Sequence, residues 1–159
     1  MKTKYDFLEY LNDECIGLEH GVGNGIGTEK ILMSGKFSYV YSIDSYDSNN
    51  HDYKQSLIRL DKFKEKHSLF RMNQMFAIDM FPDHFFNIMI LNVQVNDVIG
   101  RWLPKMKSDG IILGDYVGSE AQFIEQFCKE YRFVLHTVGL IWFIKLNETE
   151  SFAKMMGML

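Results

Sequence analysis

Apolar residues in this chain fall into short runs separated by polar turns, and the runs alternate between two spacings. Phe85 to Leu91 is nearly all apolar, as expected of a central parallel strand buried on both faces. Shorter runs with strand character are Cys15 to Leu18, ending in Glu19, and Tyr39 to Ile43, ending in Asp44, with His67 to Arg71 and Ile111 to Gly114 further on. Between them, apolar residues recur at helical spacing: Tyr5, Leu8 and Leu11 within residues 4–12; a short helix from Thr28 to Ser34 closed near Gly35; Tyr53, Leu57, Leu60 and Phe63; Val98, Ile99, Trp102, Leu103 and Met106; Ala121, Ile124, Phe127 and Cys128. Asn73 to Met80 fits a helical turn stopped by Phe81-Pro82. Ser45 to Asp52 reads as a polar loop and Ser108-Asp109-Gly110 as a turn.

Arg132 to Val138 and Leu140 to Leu146 read as strands meeting at Gly139. So short a connection forces them antiparallel, because a parallel crossover needs about a dozen residues or more. The pattern predicts an α/β chain: a Rossmann-like, doubly wound, mostly parallel sheet with one antiparallel strand near its edge.

The chemistry concentrates in residues 14–28, Glu-Cys-Ile-Gly-Leu-Glu-His-Gly-Val-Gly-Asn-Gly-Ile-Gly-Thr. A strand ends in an acid, glycines alternate at Gly21, Gly23, Gly25 and Gly27, a helix follows, and the second strand ends in Asp44. Glycines let a backbone turn sharply and approach a ligand where a Cβ would clash, and an acid after the second strand can take both hydroxyls of a ribose. This is a nucleotide or nucleoside cradle. It is not the dinucleotide fingerprint G-x-G-x-x-G, whose last position falls on Ile26, Thr28 or Lys30 depending on the starting glycine. The phosphate-loop pattern is absent as well.

Glu19-His-Gly-Val-Gly-Asn-Gly25 resembles the first motif of class I S-adenosylmethionine-dependent methyltransferases, and Ile43-Asp44 resembles their second. Phe86-Asn-Ile-Met-Ile-Leu-Asn92 is similar to their fourth strand. The segment from Trp102 to Tyr116 resembles the branch of macrocin O-methyltransferase and cephalosporin hydroxylase. Four such motifs in the right order are more specific than any one of them. The resemblance implies strand order 3-2-1-4-5-7-6 and S-adenosylmethionine as cofactor. It places the methionine part on Gly21, Gly23 and Gly25, with Glu19 near the amino group. Asp44, with Ser45 beside it, would take the ribose, and Asn73, Gln74 and Ala77 would meet the adenine.

For catalysis the resemblance points to Asp115, Asn92 and His20. Related O-methyltransferases bind a divalent cation between an Asp ending the fourth strand and an Asp-Asn or Asp-Asp pair after the fifth. Asp115 matches the fifth-strand acid and is the implied Mg²⁺ ligand, but Asn92 stands where the other carboxylate belongs and Tyr116 follows Asp115. The loop Val93-Gln94-Val95-Asn96-Asp97 is shorter than in the macrocin branch and carries no histidine.

Composition narrows the rest. The chain has 159 residues, enough for one domain, read here as residues 1–146 with a Met-rich tail over 147–159. A 47% apolar content fits a packed core, and a net charge of −4 disfavours a nucleic-acid partner. Cys15 and Cys128 read as buried thiols of a reducing compartment. Neither a signal peptide nor a membrane span is apparent, so a cytoplasmic, membrane-free protein is expected.

The expected activity is methyl transfer to a hydroxyl of a small-molecule acceptor. Few segments are left over to cap the pocket, which points to a large acceptor or to closure by a second subunit, hence a homodimer. The alternative is a non-catalytic cofactor-binding or interaction module with a degenerate site, marked by the loss of the acid at Asn92. A nicotinamide-dependent oxidoreductase is disfavoured by the failed glycine count. A base methyltransferase is disfavoured by the lack of an Asp-Pro-Pro-Tyr type motif.

Overall fold

The computed structural model describes residues 3–93 and 98–148. Seven strands form one sheet: β1 (Cys15–His20), β2 (Phe37–Asp44), β3 (His67–Arg71), β4 (Phe86–Leu91), β5 (Met106–Asp115), β6 (His136–Val138) and β7 (Ile141–Lys145). Five helices connect them: α1 (Ile26–Met33), α2 (Asn50–Leu60), α3 (Gln74–Ala77), α4 (Val98–Trp102) and α5 (Gly118–Tyr131). The strand order is β3-β2-β1-β4-β5-β7-β6, as the resemblance implied. All neighbours are parallel up to β5, and β7 runs antiparallel to both β5 and β6.

The core splits by the two-residue period of the strands. On β4, Met89 and Leu91 join a cluster with Trp102, Ile124 and Trp142, whereas Ile88 and Ile90 join another with Leu8, Ile31 and Leu32. A strand buried on both faces needs apolar residues at every position, which is why this segment shows no alternation. Cys15 and Cys128 are free and buried, as expected.

Several boundaries differ from the sequence reading for local reasons. The N-terminal segment is not an α-helix but a 3₁₀ turn, Asp6–Tyr10, with the Asp6 carboxylate accepting from the Thr3 N–H at 2.8 Å. α2 starts inside the expected loop, because the Asn49 side chain caps it by accepting from the Asp52 N–H at 3.1 Å. β5 absorbs the expected turn at Ser108-Asp109-Gly110 as an irregularity in its pairing with β4. β6 is shorter than expected because Arg132, at φ +61°, ends α5 in the left-handed region and the Phe133 N–H returns to the Cys128 carbonyl. Beyond β7, the Glu148 carbonyl accepts from the Val134 N–H at 3.2 Å and its carboxylate meets His136 at 2.6 Å. The Met-rich part of the tail, with Met155, Met156 and Met158, lies outside the described residues. No described helix is long and apolar enough to cross a membrane.

Packing on β5 gives a direct stability test. Gly114 pairs with Trp142 on β7, and a Cβ on Gly114 would lie 2.9 Å from three atoms of the fully buried indole. Gly114→Ala must move that ring, so we expect a loss of about 1–3 kcal/mol in urea unfolding. A variant as stable as the parent would contradict this packing.

Candidate functional site

The candidate site lies at the carboxyl ends of β1 to β4, where open α/β sheets place their ligands. The glycine turn between β1 and α1 is held in shape from two sides. Gly21, at φ +85°, runs so close to the end of β4 that a Cβ would meet Val93 Cγ1 at 2.7 Å and the Asn92 carbonyl at 3.2 Å. Gly25, also at +85°, caps α1, and its Cβ would meet the backbone of Ser56 on α2 at 3.2 Å. Gly25 therefore serves the approach of α2 and is not among the residues lining the cavity. Gly23 borders an adjacent shallow hollow with Asp44 and Ser45.

Asp44 staples this turn to β2. Its Oδ2 accepts from the N–H groups of Val22 (2.7 Å) and Gly23 (3.0 Å), and its Oδ1 accepts from the Tyr46 N–H (2.7 Å). A carboxylate offers about four acceptor positions, so one remains for a ligand hydroxyl.

Beneath the turn, Glu19 is 1% exposed. Its Oε2 accepts from the hydroxyls of Thr28 (2.7 Å) and Ser42 (2.9 Å), and its Oε1 from the Asn92 amide (3.0 Å). Ser42 Oγ also lies 2.9 Å from Nε2 of His67. Burial pushes the Glu19 carboxyl up to about 7, although the hydrogen bonds and the charge of Lys4 pull the other way. Glu19 thus faces the network under the turn and does not line the cavity. The Asn92 amide also donates to the Gly21 carbonyl at 2.8 Å, so Asn92 ties β1, the glycine turn and β4 together.

The cavity itself measures about 430 Å³. His20 and Gly21 form one side, Ile43, Asp44 and Ser45 a second, and Met72 to Met75 a third, with Val93 and Arg101 closing it. His20 is 1% exposed, and neither ring nitrogen has a hydrogen-bond partner among the described residues. Its ring stands edge-on to Trp102 at 4.8 Å, and burial pushes it down to about 3, so it is neutral near pH 7. Gln74 Oε1 is a second buried polar atom without a partner. Asn73 caps the following turn, its Oδ1 accepting from the Met75 N–H at 2.9 Å.

Of the residues singled out by sequence, His20, Gly21, Asp44, Ser45, Asn73 and Gln74 come together here. Ala77 does not: it is fully buried in the main core beneath α3. Met72, Met75, Val93 and Arg101 were missed. Val93 directly follows Asn92, and Arg101 lies on a helix whose apolar face alone had drawn attention. The loop residues 94–97, which include most of the segment compared with the macrocin branch, lie outside the described residues.

Asp115 stands apart from the cavity at the end of β5. Its Oδ2 is 2.5 Å from Nζ of Lys4, a side chain only 8% exposed. Mg²⁺ requires several oxygen ligands in near-octahedral geometry. Among the described residues, one carboxylate oxygen of Asp115 is held by the Lys4 ammonium, Asn92 turns its Nδ2 to Glu19 and Gly21 and leaves its buried Oδ1 without a partner, and no group of three or more His, Cys, Asp or Glu that could hold a metal occurs. The residues present do not fit the implied Mg²⁺.

No family model matches the chain, and no curated protein matches it in sequence. Solved structures do match its fold. A proposed methyltransferase from Streptococcus mutans in complex with SAH has 15% identity and a TM-score of 0.63, covering 89% of this chain and 94% of its own. An rRNA methylase from Streptococcus thermophilus has 18% identity and a TM-score of 0.65, covering 89% and 93%. A proposed caffeoyl-CoA O-methyltransferase from Staphylococcus aureus has 12% identity and a TM-score of 0.71, covering 89% and 82%. Together with the strand order, these define the fold as that of the class I S-adenosylmethionine-dependent methyltransferases.

Proposed function

We propose that this chain binds S-adenosylmethionine and transfers its methyl group to a hydroxyl of a small-molecule acceptor. The observation that carries the reading is the cavity at the ends of β1 to β4, bounded by Asp44 under a glycine turn. Two buried polar groups, His20 and Gln74 Oε1, wait there without partners. Buried polar groups without partners are unfavourable, and a ligand with matching donors and acceptors relieves them. An adenine ring offers both kinds of group on its edge. A ribose hydroxyl would use the remaining acceptor position of Asp44, and Asn73 and Ser45 would flank the nucleoside.

When bound, S-adenosylmethionine supplies a sulfonium methyl for in-line displacement: the acceptor oxygen bonds to carbon, the electron pair of the C–S bond passes to sulfur, and the acceptor proton leaves. This chain's residues orient and enclose. Glu19, Thr28, Ser42 and Asn92 hold the turn rigid from below. Neutral His20 accepts or donates a hydrogen bond without adding charge next to a cationic cofactor. A hydroxyl acceptor rests on the resemblance of the Trp102–Tyr116 segment, and the rRNA methylase among the similar folds marks the competing acceptor class.

The test is thermal unfolding with S-adenosylmethionine, S-adenosylhomocysteine, NAD and NADP in parallel. Ligand at about 100 times its dissociation constant adds about 2.7 kcal/mol, or about 5–10 °C for a domain of this size. We expect a shift with the two adenosyl sulfur compounds alone. A shift confined to a nicotinamide nucleotide would overturn the reading. A specific observation favours a second one, cofactor binding without transfer: the Asp115 carboxylate is paired with Lys4 and stands apart from the cavity. Tight binding of S-adenosylhomocysteine with no transfer to any acceptor screened would select it.

A further inference from the structure

The N-terminal segment does more than cover the sheet. Phe7, Leu8 and Leu11 are buried in the cluster that also holds Val22, Ile31 and Leu32, which anchors the segment beside the glycine turn. Just before this anchor, Tyr5 lies over α1 so closely that a Cβ on Gly27 would collide with its phenol oxygen. The fourth glycine of the alternating run therefore makes room for the N-terminal segment. Lys4, one residue earlier, is carried to the ends of β4 and β5. Its Nζ is 2.5 Å from Asp115 Oδ2 and 3.5 Å from the carbonyl oxygen of Leu91, the last residue of β4. It is also near enough to Glu19 to act on that carboxyl's charge.

A strand-end carbonyl and a half-exposed carboxylate make an oxygen-lined position that suits a cation. The protein fills it with its own ammonium. We infer that Lys4 supplies the positive charge that the ends of β4 and β5 would otherwise draw from a divalent cation, so that the N-terminal segment stands in for a metal there. The inference rests on the methyl-transfer reading for its chemistry, but not for its geometry. An ammonium has three N–H donors, and two of them are used by Asp115 and the Leu91 carbonyl. Asn92 then needs no charge of its own: with the cation covalently attached, an amide that ties the glycine turn to β4 is the more useful group.

The pair can be read without knowing the acceptor. In the full chain, trace labelling with acetic anhydride followed by mass spectrometry ranks the lysines by reactivity, with exposed Lys54 as the internal reference. We expect Lys4 to label at least about tenfold more slowly than Lys54. Asp115→Asn should abolish most of that protection, while Mg²⁺ or Mn²⁺ in the millimolar range, with S-adenosylhomocysteine present, should leave it unchanged. Three results would overturn the inference: Lys4 as reactive as Lys54, protection indifferent to Asp115→Asn, or faster Lys4 labelling on adding a divalent cation, which would mean the metal displaces the ammonium. The thermal shift with S-adenosylhomocysteine runs alongside. Its absence would count against the cofactor reading, whereas the labelling ranks decide the fate of the Lys4 pair separately.

Discussion

Asp44→Ala should weaken S-adenosylhomocysteine binding by about 10- to 100-fold, the range expected when a charge-assisted hydrogen bond of about 1.5–3 kcal/mol is removed. The variant loses two things at once. It loses the acceptor offered to a ribose hydroxyl, and it releases the N–H groups of Val22, Gly23 and Tyr46. The second loss should lower stability by about 1–3 kcal/mol, because the released amides must find water or strain the turn. Asp44→Asn separates the two effects in part. Its one acceptor oxygen serves the N–H groups of Val22 and Gly23 or that of Tyr46 but not both, so it should recover part of the stability lost in Asp44→Ala while its affinity remains reduced. Calorimetric titration with S-adenosylhomocysteine reads the affinity, and an unchanged dissociation constant in Asp44→Ala would sink the ribose role of this residue.

The second large effect is a pH dependence centred on Glu19. Its carboxyl is raised from an ordinary 4.5 to about 7 in the folded protein, chiefly by burial. The unfolded chain therefore gives up this proton first as pH rises. Stability from this group is highest below about 4.5, falls as pH climbs toward 7, and levels off above it. A displacement of this size corresponds to about 3 kcal/mol across the interval. Glu19→Gln keeps the shape but not the titration. Urea unfolding of parent and variant at pH 5 and pH 8 should show the parent losing stability relative to the variant on going to pH 8. Parallel profiles would mean that Glu19 is ionised throughout, with Lys4 and the three hydrogen bonds outweighing burial.

These two acids also show how far the sequence could be read. Both were visible because each ends a strand beside a glycine run, and strand ends are where α/β sheets bind ligands. The sheet type was legible for a similar reason: the nearly all-apolar run at Phe86–Leu91 marks the centre of a parallel sheet and the short link at Gly139 forces the reversal, whereas the full strand order came only with the family resemblance. Depth within the structure was not legible. Asp44 faces the cavity while Glu19 points beneath the turn, and Ala77 faces inward on a helix of only four residues, too short for periodicity to orient it. Lys4 was invisible for a different reason. Its partner Asp115 is more than a hundred residues away in sequence, and a lone lysine near a terminus carries no pattern. Pairings of that separation are set by the fold, through the burial of Phe7, Leu8 and Leu11, and not by any local spacing.

The shape of the sheet's far edge has a consequence for how copies of this chain can meet. β6 is three residues long, and the Val134–Glu148 hydrogen bond and His136, which stacks on Phe143 and pairs with Glu148, tie it to β7 and the residues that follow. So short a strand offers a neighbouring chain almost no ladder to extend. Growth of a continuous sheet from one molecule to the next is thereby disfavoured on that side. Apolar surface for a second copy lies instead on α2, which presents Leu57 and Ile58 to solvent.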